Sequence, residues 1–535
     1  MKKSVARMNL FLLLSLLCAA TAWSQTRDSA VARAAENPQG AAFGAPEPGA
    51  FLVTRIATSD SKILSAEEIR QITSRYEQRR LTKADLDQLI ADFNQLYAKK
   101  GFAMARAMLP VQTIHNGVVE IQLIEARVGH VTLSTNTRTR ESFLRDHVAI
   151  SSGEILQLSD LQKKLAYFNA TNDLQMHALL KPGEALGTTD LSLEAQGPRD
   201  FDVTTYTDNA GRDTIGVHRA GANAVYRSVF GERDPLAINF VGADGTKAGN
   251  GSYSFPLDAK GTRLGGQFDY DSIAINGGVL GSTVMTGHSI DGAVLLSRPL
   301  IEQLKSTLSA NLSAHYKYSL LSSAGIPVTR TLVRSLELNA DYARFDSRGA
   351  WTVSNTLAGG FYDVTGATSF FRYDGSIVRT FLFSPKVTGI ARVSGQTSAL
   401  NPLPSIEQYQ LGGASTVRGY PEAALTGDRG YCASGEVDFA FLPKQWSKRI
   451  LAAIFVDGGA VYSQGLSTAN QPADTRLLSP GFGFPVKLPS NLTGRVDFGI
   501  PVRNGVGISS VAIHYSVQKS FDFPNRKMRV FGKKG

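Results

Sequence analysis

Residues 308–319 read Leu-Ser-Ala-Asn-Leu-Ser-Ala-His-Tyr-Lys-Tyr-Ser, and apolar and polar side chains alternate along the whole stretch. Leu308, Leu312 and Tyr316 belong to one phase, whereas Lys317 belongs to the other. Successive side chains of a β-strand point to opposite faces, so this strand has one apolar face with aromatic residues and one polar face. Transmembrane β-barrels require this pattern, because lipid contacts their outside and water fills their inside.

The same alternation recurs in segments that follow Pro198. Leu264–Tyr270, Leu336–Tyr342 and Val511–Val517 all alternate with period two. Residues 199–521 have room for about sixteen antiparallel strands with their connections. A large soluble β-sandwich would alternate in the same way and is the competing interpretation, but the long Gly-rich connections favour the barrel.

Residues 51–126, the first unit, are predicted to form a small domain in the order β-α-α-β-β. Ser65 and Glu68 fit a capping box that begins a helix over Ala66–Arg80. A second helix is predicted because five apolar residues share one helical face, namely Leu86, Leu89, Ile90, Phe93 and Leu96. The strands of the unit are predicted at Phe51–Ile56, Ala103–Leu109 and Val118–Leu123.

Residues 127–198, the second unit, repeat that order. Strands are predicted at Val128–Leu133, Gln175–Leu180 and Thr189–Ala195, and helices at Arg140–His147 and Ser159–Asn169. Two successive units with one element order form an internal structural repeat. The predicted fold class is therefore an all-β transmembrane barrel of about sixteen antiparallel strands, preceded by two small α+β domains.

Residues 1–24 are predicted to be an export signal. A basic start that includes Arg7 precedes the apolar stretch Leu10–Ala20, and Ala20-Thr21-Ala22 fits a cleavage site. An N-terminal membrane anchor is the alternative, but the apolar stretch is too short to span a bilayer. Lipidation of Cys18 fits less well, because leucines rather than small residues precede it.

Residues 25–50 are rich in Ala, Gly and Pro and are predicted to be a linker, with a short helix over 27–36 as the alternative. Residues 522–535 are predicted to be a basic tail that follows the barrel. Once the signal is removed, Cys432 is the single cysteine, so an internal disulfide is excluded and closed hydrogen bonding must stabilise the fold. We expect Cys432 to be an inert small residue.

The charge pattern does not favour a nucleic-acid partner. The net charge is +10, but basic residues are spread along the chain except at Arg79-Arg80, Lys163-Lys164 and the tail. The eight histidines show no metal-binding spacing, and the sequence contains neither a phosphate-binding loop nor a G-x-S-x-G motif. We therefore expect no metal, no cofactor and no enzymatic activity. A helical transporter is excluded, because no internal apolar run reaches about 18 residues.

Two short motifs in the barrel region are more specific. The first is Leu411-Gly412-Gly413 followed by Val417-Arg418-Gly419-Tyr420, and the second is Phe455-x-Asp457-x-Gly459. They resemble the sixth-loop signature and the matching barrel-strand motif of two-partner (type V) secretion transporters, the haemolysin secretion/activation family. Asn209-x-Gly211 and Gly216-x-x-Arg219 resemble the first barrel strand of that family.

The two units are similar to the POTRA (polypeptide-transport-associated) domains of the same family. In the first unit the likeness rests on Gly101-Phe102, Leu109-Pro110-x-Gln112 and Gly117-x-Val119. In the second unit it rests on Leu180-x-Pro182-Gly183 and Gly187-x-x-Asp190-Leu191. These motifs and those of the barrel follow the family order along the chain.

The resemblance implies a monomeric pore in the outer membrane of a Gram-negative cell, surrounded by lipid, with a long sixth loop around residues 411–431. It also implies that both POTRA domains lie in the periplasm, where they bind the N-terminal secretion domain of one large exoprotein. A haemolysin, an adhesin and a growth-inhibition toxin are all open as that partner. Whether the transporter also activates its partner is open as well.

Other interpretations stay open at this point. The same superfamily contains barrel-protein insertases, which usually carry three or more POTRA units, whereas this chain has room for two. An outer-membrane phospholipase would need a lipid-facing Ser/His pair, and His315 and His514 both lie in the polar phase. The two units could also serve only as spacers.

Two features depart from the family. Many members carry an amphipathic N-terminal helix that plugs the pore, and residues 25–50 encode at best a short Ala-rich helix. Members usually end on a strand with a terminal aromatic residue, which Phe521 fits, but residues 522–535 follow it here.

Arg418 and Asp457 are predicted to form a pair that anchors the sixth loop. Arginine binds a carboxylate with two parallel hydrogen bonds and stays charged. Alternation places Phe455, Asp457 and Gly459 on one face of a strand. If that face lines the lumen, a loop folded into the barrel can bind Asp457 through Arg418. A salt bridge of Arg418 with Asp428 at the rim is the alternative.

Overall fold

The computed structural model describes residues 49–275, 285–303, 305–364, 366–443, 445–447, 449–464, 475–502, 510–521 and 523–524, with the backbone of 529–531. The predicted export signal, nearly all of the linker and its alternative short helix lie outside the described residues. Within the described part of the chain, no helix combines the length and apolar character needed to cross a membrane.

The first unit contains five strands and two helices. They are β1 (Phe51–Val53), β2 (Arg55–Thr58), α1 (Ala66–Thr73), β3 (Arg79–Leu81), α2 (Lys83–Lys99), β4 (Arg106–Met108) and β5 (Val118–Ile124). β2 pairs in parallel with β5, which pairs antiparallel with β4, and the helices cover one side of this sheet. β1 and β3 form a separate antiparallel pair.

Helix α1 begins as predicted but ends earlier. The capping box is present, with Glu68 accepting hydrogen bonds from the backbone and side chain of Ser65. Lys100, whose Nζ lies 2.7 Å from the Glu68 carboxylate, and then these bonds from Ser65 lower the pKa of Glu68 to about 2. The helix ends at Thr73 rather than Arg80, because Gln78 has a positive φ and the chain then pairs as β3 with β1.

The second unit has the same topology. Its elements are β6 (Arg127–Thr135), α3 (Glu141–Val148), α4 (Leu158–Thr171), β7 (Gln175–Pro182) and β8 (Thr188–Gln196). β6 pairs in parallel with β8, and β7 pairs antiparallel with β8, which reproduces the order β2-β5-β4 of the first unit. Each unit has its own hydrophobic core, so the internal repeat seen in the sequence is a repeat of structure.

Sixteen antiparallel strands form a closed barrel, which confirms the predicted fold class. They are β9 (Phe201–Asp208), β10 (Arg219–Tyr226), β11 (Leu236–Ala243), β12 (Thr246–Pro256), β13 (Arg263–Ile275), β14 (Met285–Gln303), β15 (Ser306–Ser323), β16 (Ile326–Asp346), β17 (Gly349–Asp363), β18 (Ala367–Ser384), β19 (Val387–Leu400), β22 (Arg429–Phe439), β23 (Ala452–Tyr462), β24 (Arg476–Leu488), β25 (Leu492–Gly499) and β26 (Ala512–Phe521). The last strand closes on the first, from Ser516 opposite Asp208 to Phe521 opposite Val203. The short strands β20 (Tyr409–Leu411) and β21 (Leu425–Gly427) form a hairpin outside this ring.

The two faces of the barrel wall differ as the alternation predicts. On β15, Tyr316 is 53% exposed on the outer face, whereas its neighbour Lys317 is 2% exposed. On β23, Ile454 and Val456 face outward and Asp457 is buried on the inner side. The apolar residues therefore surround a polar interior, and the β-sandwich interpretation is wrong because the sheet closes on itself.

The second unit contacts the turns at one end of the barrel. The Arg233 guanidinium, in the turn between β10 and β11, is buried and contacts Asp173 of the second unit and Asp200 of the connection into β9. The Tyr167 hydroxyl donates a hydrogen bond to the Lys260 carbonyl, 2.9 Å away, in the turn between β12 and β13. These contacts fix the second unit against the barrel at several turns.

Part of the predicted basic tail returns to the second unit. Residues 529–531 form β27 (Arg529–Phe531), which pairs antiparallel with β6 from Thr135 to Leu133. Before it, the Phe523 ring packs on Phe201, with ring centroids 5.1 Å apart. The tail therefore adds a fourth strand to the sheet of the second unit.

We expect truncation after Phe521 to leave barrel assembly intact, because the pairs that join β26 to β9 end at this residue. Heat-modifiable migration of the outer-membrane protein on gels measures assembly. Truncation after Pro524 is the matched control, since it removes β27 but keeps the contact of Phe523 with Phe201. Loss of assembly in both truncations would assign a targeting role to the tail.

Candidate functional site

The candidate site lies in the loop between β19 and β22, residues 401–428, which we call loop 6. The loop begins before the predicted position 411 and ends at Asp428, because Arg429 already pairs with Tyr462 in the barrel wall. A short 3₁₀ turn (Ser405–Glu407) precedes the β20–β21 hairpin. Four loop residues are buried against the wall residues Cys432, Val461 and Leu477, namely Leu411, Val417, Tyr420 and Leu425. Loop 6 is therefore folded against the inside of the barrel.

Arg418 lies directly against Asp457. Its Nε and Nη2 donate hydrogen bonds to the two carboxylate oxygens at 2.7 and 2.8 Å, and its backbone N–H donates to the same carboxylate at 3.2 Å. Ser434 on β22 donates a further hydrogen bond to Asp457 at 2.6 Å. The pair has the two-pronged geometry that the sequence predicts, and it is buried, with Asp457 fully enclosed and Arg418 6% exposed.

Asp428, the alternative partner of Arg418, has a different role. Its carboxylate accepts hydrogen bonds from the backbone N–H groups of Leu403 at 2.7 Å and Gln464 at 2.6 Å. It is buried where loop 6 returns to the wall. Asp428 therefore joins the two ends of loop 6 rather than binding Arg418.

Three further charged residues surround Arg418 that the sequence did not single out. The Arg418 guanidinium contacts Glu436 on β22 and lies 3.8 Å from Asp497 on β25. Arg495 contacts both carboxylates, with Nη2 2.8 Å from Glu436 and Nε 2.6 Å from Asp497. We call these residues with Arg418 and Asp457 the Arg418 cluster. In the sequence, these three residues could be recognised only as members of the polar phase of β22 and β25. Only the pairing register of the barrel strands shows that they lie together.

Aromatic residues complete the motif geometry. The Arg418 Cζ atom lies 3.3 Å from the centroid of the Phe455 ring, so the guanidinium stacks on an aromatic face while its edge binds carboxylates. Tyr420 is buried, and its hydroxyl donates a hydrogen bond to the Leu478 carbonyl at 3.3 Å. Val417 packs in the apolar cluster beside it.

Glycines allow loop 6 to approach the wall. A Cβ atom on Gly419 would lie 2.3 Å from Ser479 Oγ, and one on Gly459 would lie 2.3 Å from the Tyr431 carbonyl oxygen. Gly499 of β25 is a further such position that sequence analysis missed, since its Cβ would lie 2.4 Å from the Arg418 carbonyl oxygen. Backbone contact at these positions leaves no space for a side chain.

The motif residues of the first unit shape its own loops. Gly101 and Gly117 have φ of +86° and +72°, which ordinary residues adopt rarely. The side-chain amide of Gln112, two residues after Pro110, forms two hydrogen bonds of 2.7 Å with the backbone of Glu120. Phe102 packs against the core. Gly101 and Phe102 lie between α2 and β4, whereas Pro110, Gln112 and Gly117 lie in the connection between β4 and β5, and both places are in the first unit and away from the Arg418 cluster.

The comparisons with known proteins now decide the family. The profile described as haemolysin secretion/activation protein ShlB/FhaC/HecB matches residues 187–485, more than half of the chain. The chain belongs to this family. A ShlB-type POTRA domain profile matches residues 51–126, the first unit.

Relatives of known name agree with this membership. The chain is 21% identical to the heme/hemopexin transporter protein HuxB of Haemophilus influenzae (strain 86-028NP), over 89% of this chain and 87% of that protein. It is 23% identical to the outer membrane transporter CdiB of Dickeya dadantii, over 77% and 76%. The structure of CdiB from Escherichia coli matches with a TM-score of 0.62 at 16% identity, over 91% of this chain and 93% of that chain. The match to that structure shows a shared fold.

As a member of this family, the protein is an outer-membrane transporter of two-partner secretion with its POTRA domains in the periplasm. The contacts between the second unit and the barrel turns place those turns at the periplasmic end and loop 6 at the opposite, extracellular mouth. In the ranges that the structure describes, no group of three or more His, Cys, Asp or Glu side chains is arranged to hold a metal ion.

We expect Arg418→Ala and Asp457→Ala each to increase the open time of the pore, because each change leaves buried charge in the Arg418 cluster without its main partner. Breaking such a buried pair costs about 3–5 kcal/mol. Since the residues act through one contact, the double variant should resemble each single variant, with a coupling energy of at least about 1 kcal/mol. Single-channel recording in planar bilayers gives the free energy of opening from the open-to-closed ratio.

Arg429→Ala is the control for that cycle. Arg429 is the first residue of β22, directly after loop 6, and its Nε donates a hydrogen bond to the Ser398 carbonyl at 3.1 Å. It should leave the open time near that of the unmodified protein. Additive effects of Arg418→Ala and Asp457→Ala would show that their contact does not hold the loop.

Gly499→Ala tests the same loop position without removing a charge. The added methyl group would lie 2.4 Å from the Arg418 carbonyl oxygen, so the backbone of loop 6 must move and the open time should rise. Gly435→Ala on β22 is the control, because no atom lies within 4 Å of the added group. Equal single-channel traces for the two variants would contradict the close approach of loop 6 to β25.

Proposed function

We propose that this transporter exports one large exoprotein, that its two units capture the N-terminal secretion domain of that partner, and that loop 6 gates the pore. In this proposal, residues 51–126 and 127–198 are the capture domains and residues 199–521 the translocating barrel. We infer the gating role of loop 6 from the burial of Arg418 among three carboxylates of the barrel wall. A loop held inside a polar lumen by such contacts obstructs the path that an exported chain must take.

Loop release must draw its free energy from the client. The family resemblance implies that neither ATP nor a membrane potential is available at the outer membrane. Breaking a buried ion pair costs about 3–5 kcal/mol, which binding and folding of a large exoprotein can supply. The Arg418 cluster is therefore strong enough to keep the pore closed at rest and weak enough for a client to open.

Open strand edges support client capture by the two units. An extended segment can add to a sheet edge through main-chain hydrogen bonds. In the second unit the strand order is β27-β6-β8-β7, so β27 covers the β6 edge and β7 is the edge left for a client. Leu179 on β7 is 56% exposed, which gives an incoming strand an apolar side chain to pack against. We propose β7 as a docking edge for the secretion domain.

The names of the relatives do not identify the client. HuxB is named a heme/hemopexin transporter and CdiB an outer membrane transporter. The shared chemistry is export of a partner chain, and we propose that class alone. The two POTRA-type units favour a secretion transporter over a barrel-protein insertase. The inward-facing positions of His514, which is buried, and of His315, which contacts Asp291, favour a pore over a lipid-cleaving enzyme.

We expect Leu179→Lys to reduce export severalfold while the barrel still assembles, because a charge replaces the apolar contact beside the β7 edge. Leu186→Lys is the matched control, since Leu186 is 76% exposed in the turn after β7 and lies off the sheet. The amount of the native exoprotein in the culture medium measures export, and heat-modifiable migration measures assembly.

Deletion of residues 51–126 extends this test to the first unit. It removes a unit with its own core and should abolish export, while the second unit keeps its contacts with the barrel turns. Undiminished export in both this deletion and Leu179→Lys would mean that the two units are spacers.

A further inference from the structure

Loop 6 has a second charged contact, which involves Glu407 of the 3₁₀ turn. The Glu407 side chain is 1% exposed, and its carboxylate lies 2.5 Å from Lys317 Nζ on β15 and in contact with the Arg372 guanidinium on β18. The Glu407 backbone is held as well, because its carbonyl accepts a hydrogen bond of 3.0 Å from the side chain of Gln396 on β19. Glu407 precedes the motif residues of loop 6, which begin at Leu411.

Two wall carboxylates complete this group, which we call the Glu407 cluster. Glu337 on β16 lies 3.3 Å from Lys317 Nζ and 3.7 Å from Arg372 Nη2. Asp374 on β18 lies 2.8 Å from Arg372 Nε. Loop 6 thus places one carboxylate among two cations and two carboxylates of the wall.

The two clusters lie on different strands of the barrel wall and have opposite polarity. The Glu407 cluster uses β15, β16 and β18, whereas the Arg418 cluster uses β22, β23 and β25. Glu407 presents a negative charge to Lys317 on β15, whereas Arg418 presents a positive charge near Asp497 on β25. Charges of the wall therefore hold loop 6 at two positions. We call the part of the loop around Glu407 the Glu407 arm and the part around Arg418 the Arg418 arm.

The charge left behind differs between the two arms. When Glu407 withdraws, Lys317 and Arg372 stay in contact with Glu337 and Asp374, so two positive charges face two negative charges. When Arg418 withdraws, Arg495 stays in contact with Glu436 and Asp497, but Asp457 loses the guanidinium that binds both of its oxygens. Uncompensated charge in a confined space is unfavourable. Release of the Glu407 arm is therefore the easier step.

We propose that Glu407 is a positioning residue that holds one arm of loop 6, and that this arm leaves the wall before the Arg418 arm does. The order of release rests on the proposed gating role of loop 6, but the contact itself does not. A client entering from the periplasm then meets a gate that opens in two steps rather than one.

Two thiols report on the two arms separately. Cys432 is buried under the Arg418 arm, in one cluster with Leu411 and Val417. Leu403 is buried under the Glu407 arm against Val333 and Phe370. Leu403→Cys in a Cys432→Ser background therefore reports exposure under the Glu407 arm. The unmodified protein, through Cys432, reports exposure under the Arg418 arm. The probe is N-ethylmaleimide on purified full-length protein in detergent, with each rate divided by that of the same thiol in the denatured chain.

We expect the thiol at position 403 to react at least about tenfold faster than Cys432 after this correction, a difference of about 1.4 kcal/mol in the free energy of exposure. Glu407→Gln should accelerate reaction at 403 by about tenfold again while changing the rate at Cys432 by less than about twofold. Lys317→Met is a second variant that removes the partner from the wall side and should act in the same direction. Heat-modifiable migration confirms that each variant assembles.

Glu337→Gln is the matched control. It removes one carboxylate from the same cluster, but from β16 rather than from loop 6, and it leaves both cations facing Glu407. The rate at position 403 should therefore stay the same or fall. Equal acceleration by Glu337→Gln, or none by both Glu407→Gln and Lys317→Met, would overturn the positioning role. Faster corrected reaction at Cys432 than at 403 would overturn the order of release. Because thiol reactivity is measured without a client, these outcomes are independent of whether the protein exports the proposed partner.

Discussion

The need to pair every backbone N–H and C=O group in an apolar surrounding determines most of this structure. Each unpaired group in a bilayer costs several kcal/mol, so a sheet that crosses it must close on itself. The pairing of β26 with β9 provides that closure without a disulfide. A closed ring with an apolar outside has a polar inside, and buried charges there must be paired with one another. The ionic clusters that hold loop 6 are thus a consequence of barrel closure.

The sequence predicted the repeating parts of the fold best. Alternation such as that of residues 308–319 is a local signal that tertiary contacts reinforce, and the capping box at Ser65 also formed. Helix α1 was predicted too long, because the pairing of β3 with β1 depends on a distant strand and outweighs local helix propensity. The return of residues 529–531 to β6 has no local signal at all, since it joins segments from opposite halves of the chain.

In the candidate site, too, some contacts could be predicted from the sequence and others could not. Arg418 and Asp457 could be paired from a family resemblance and the chemistry of a guanidinium with a carboxylate. Glu436 and Asp497 could not, because a polar residue on the inner face of a strand is expected everywhere in such a barrel. Glu407 is separated from Lys317 by four barrel strands of sequence, and only the way in which the loop folds back makes them neighbours. The periodicity of the sequence does not predict contacts that depend on strand register or on the path of a loop.

The return of β27 to β6 has a mechanical consequence. A body attached at one point can rotate about three axes, at two points about one axis, and at three points that are not in line it cannot rotate at all. The second unit is attached to the barrel through Arg233, through Tyr167 and through β27, at turns or strand ends from three different parts of the ring. A force that acts on the second unit is therefore passed to the barrel through several attachments, and not through the connection from β8 to β9 alone.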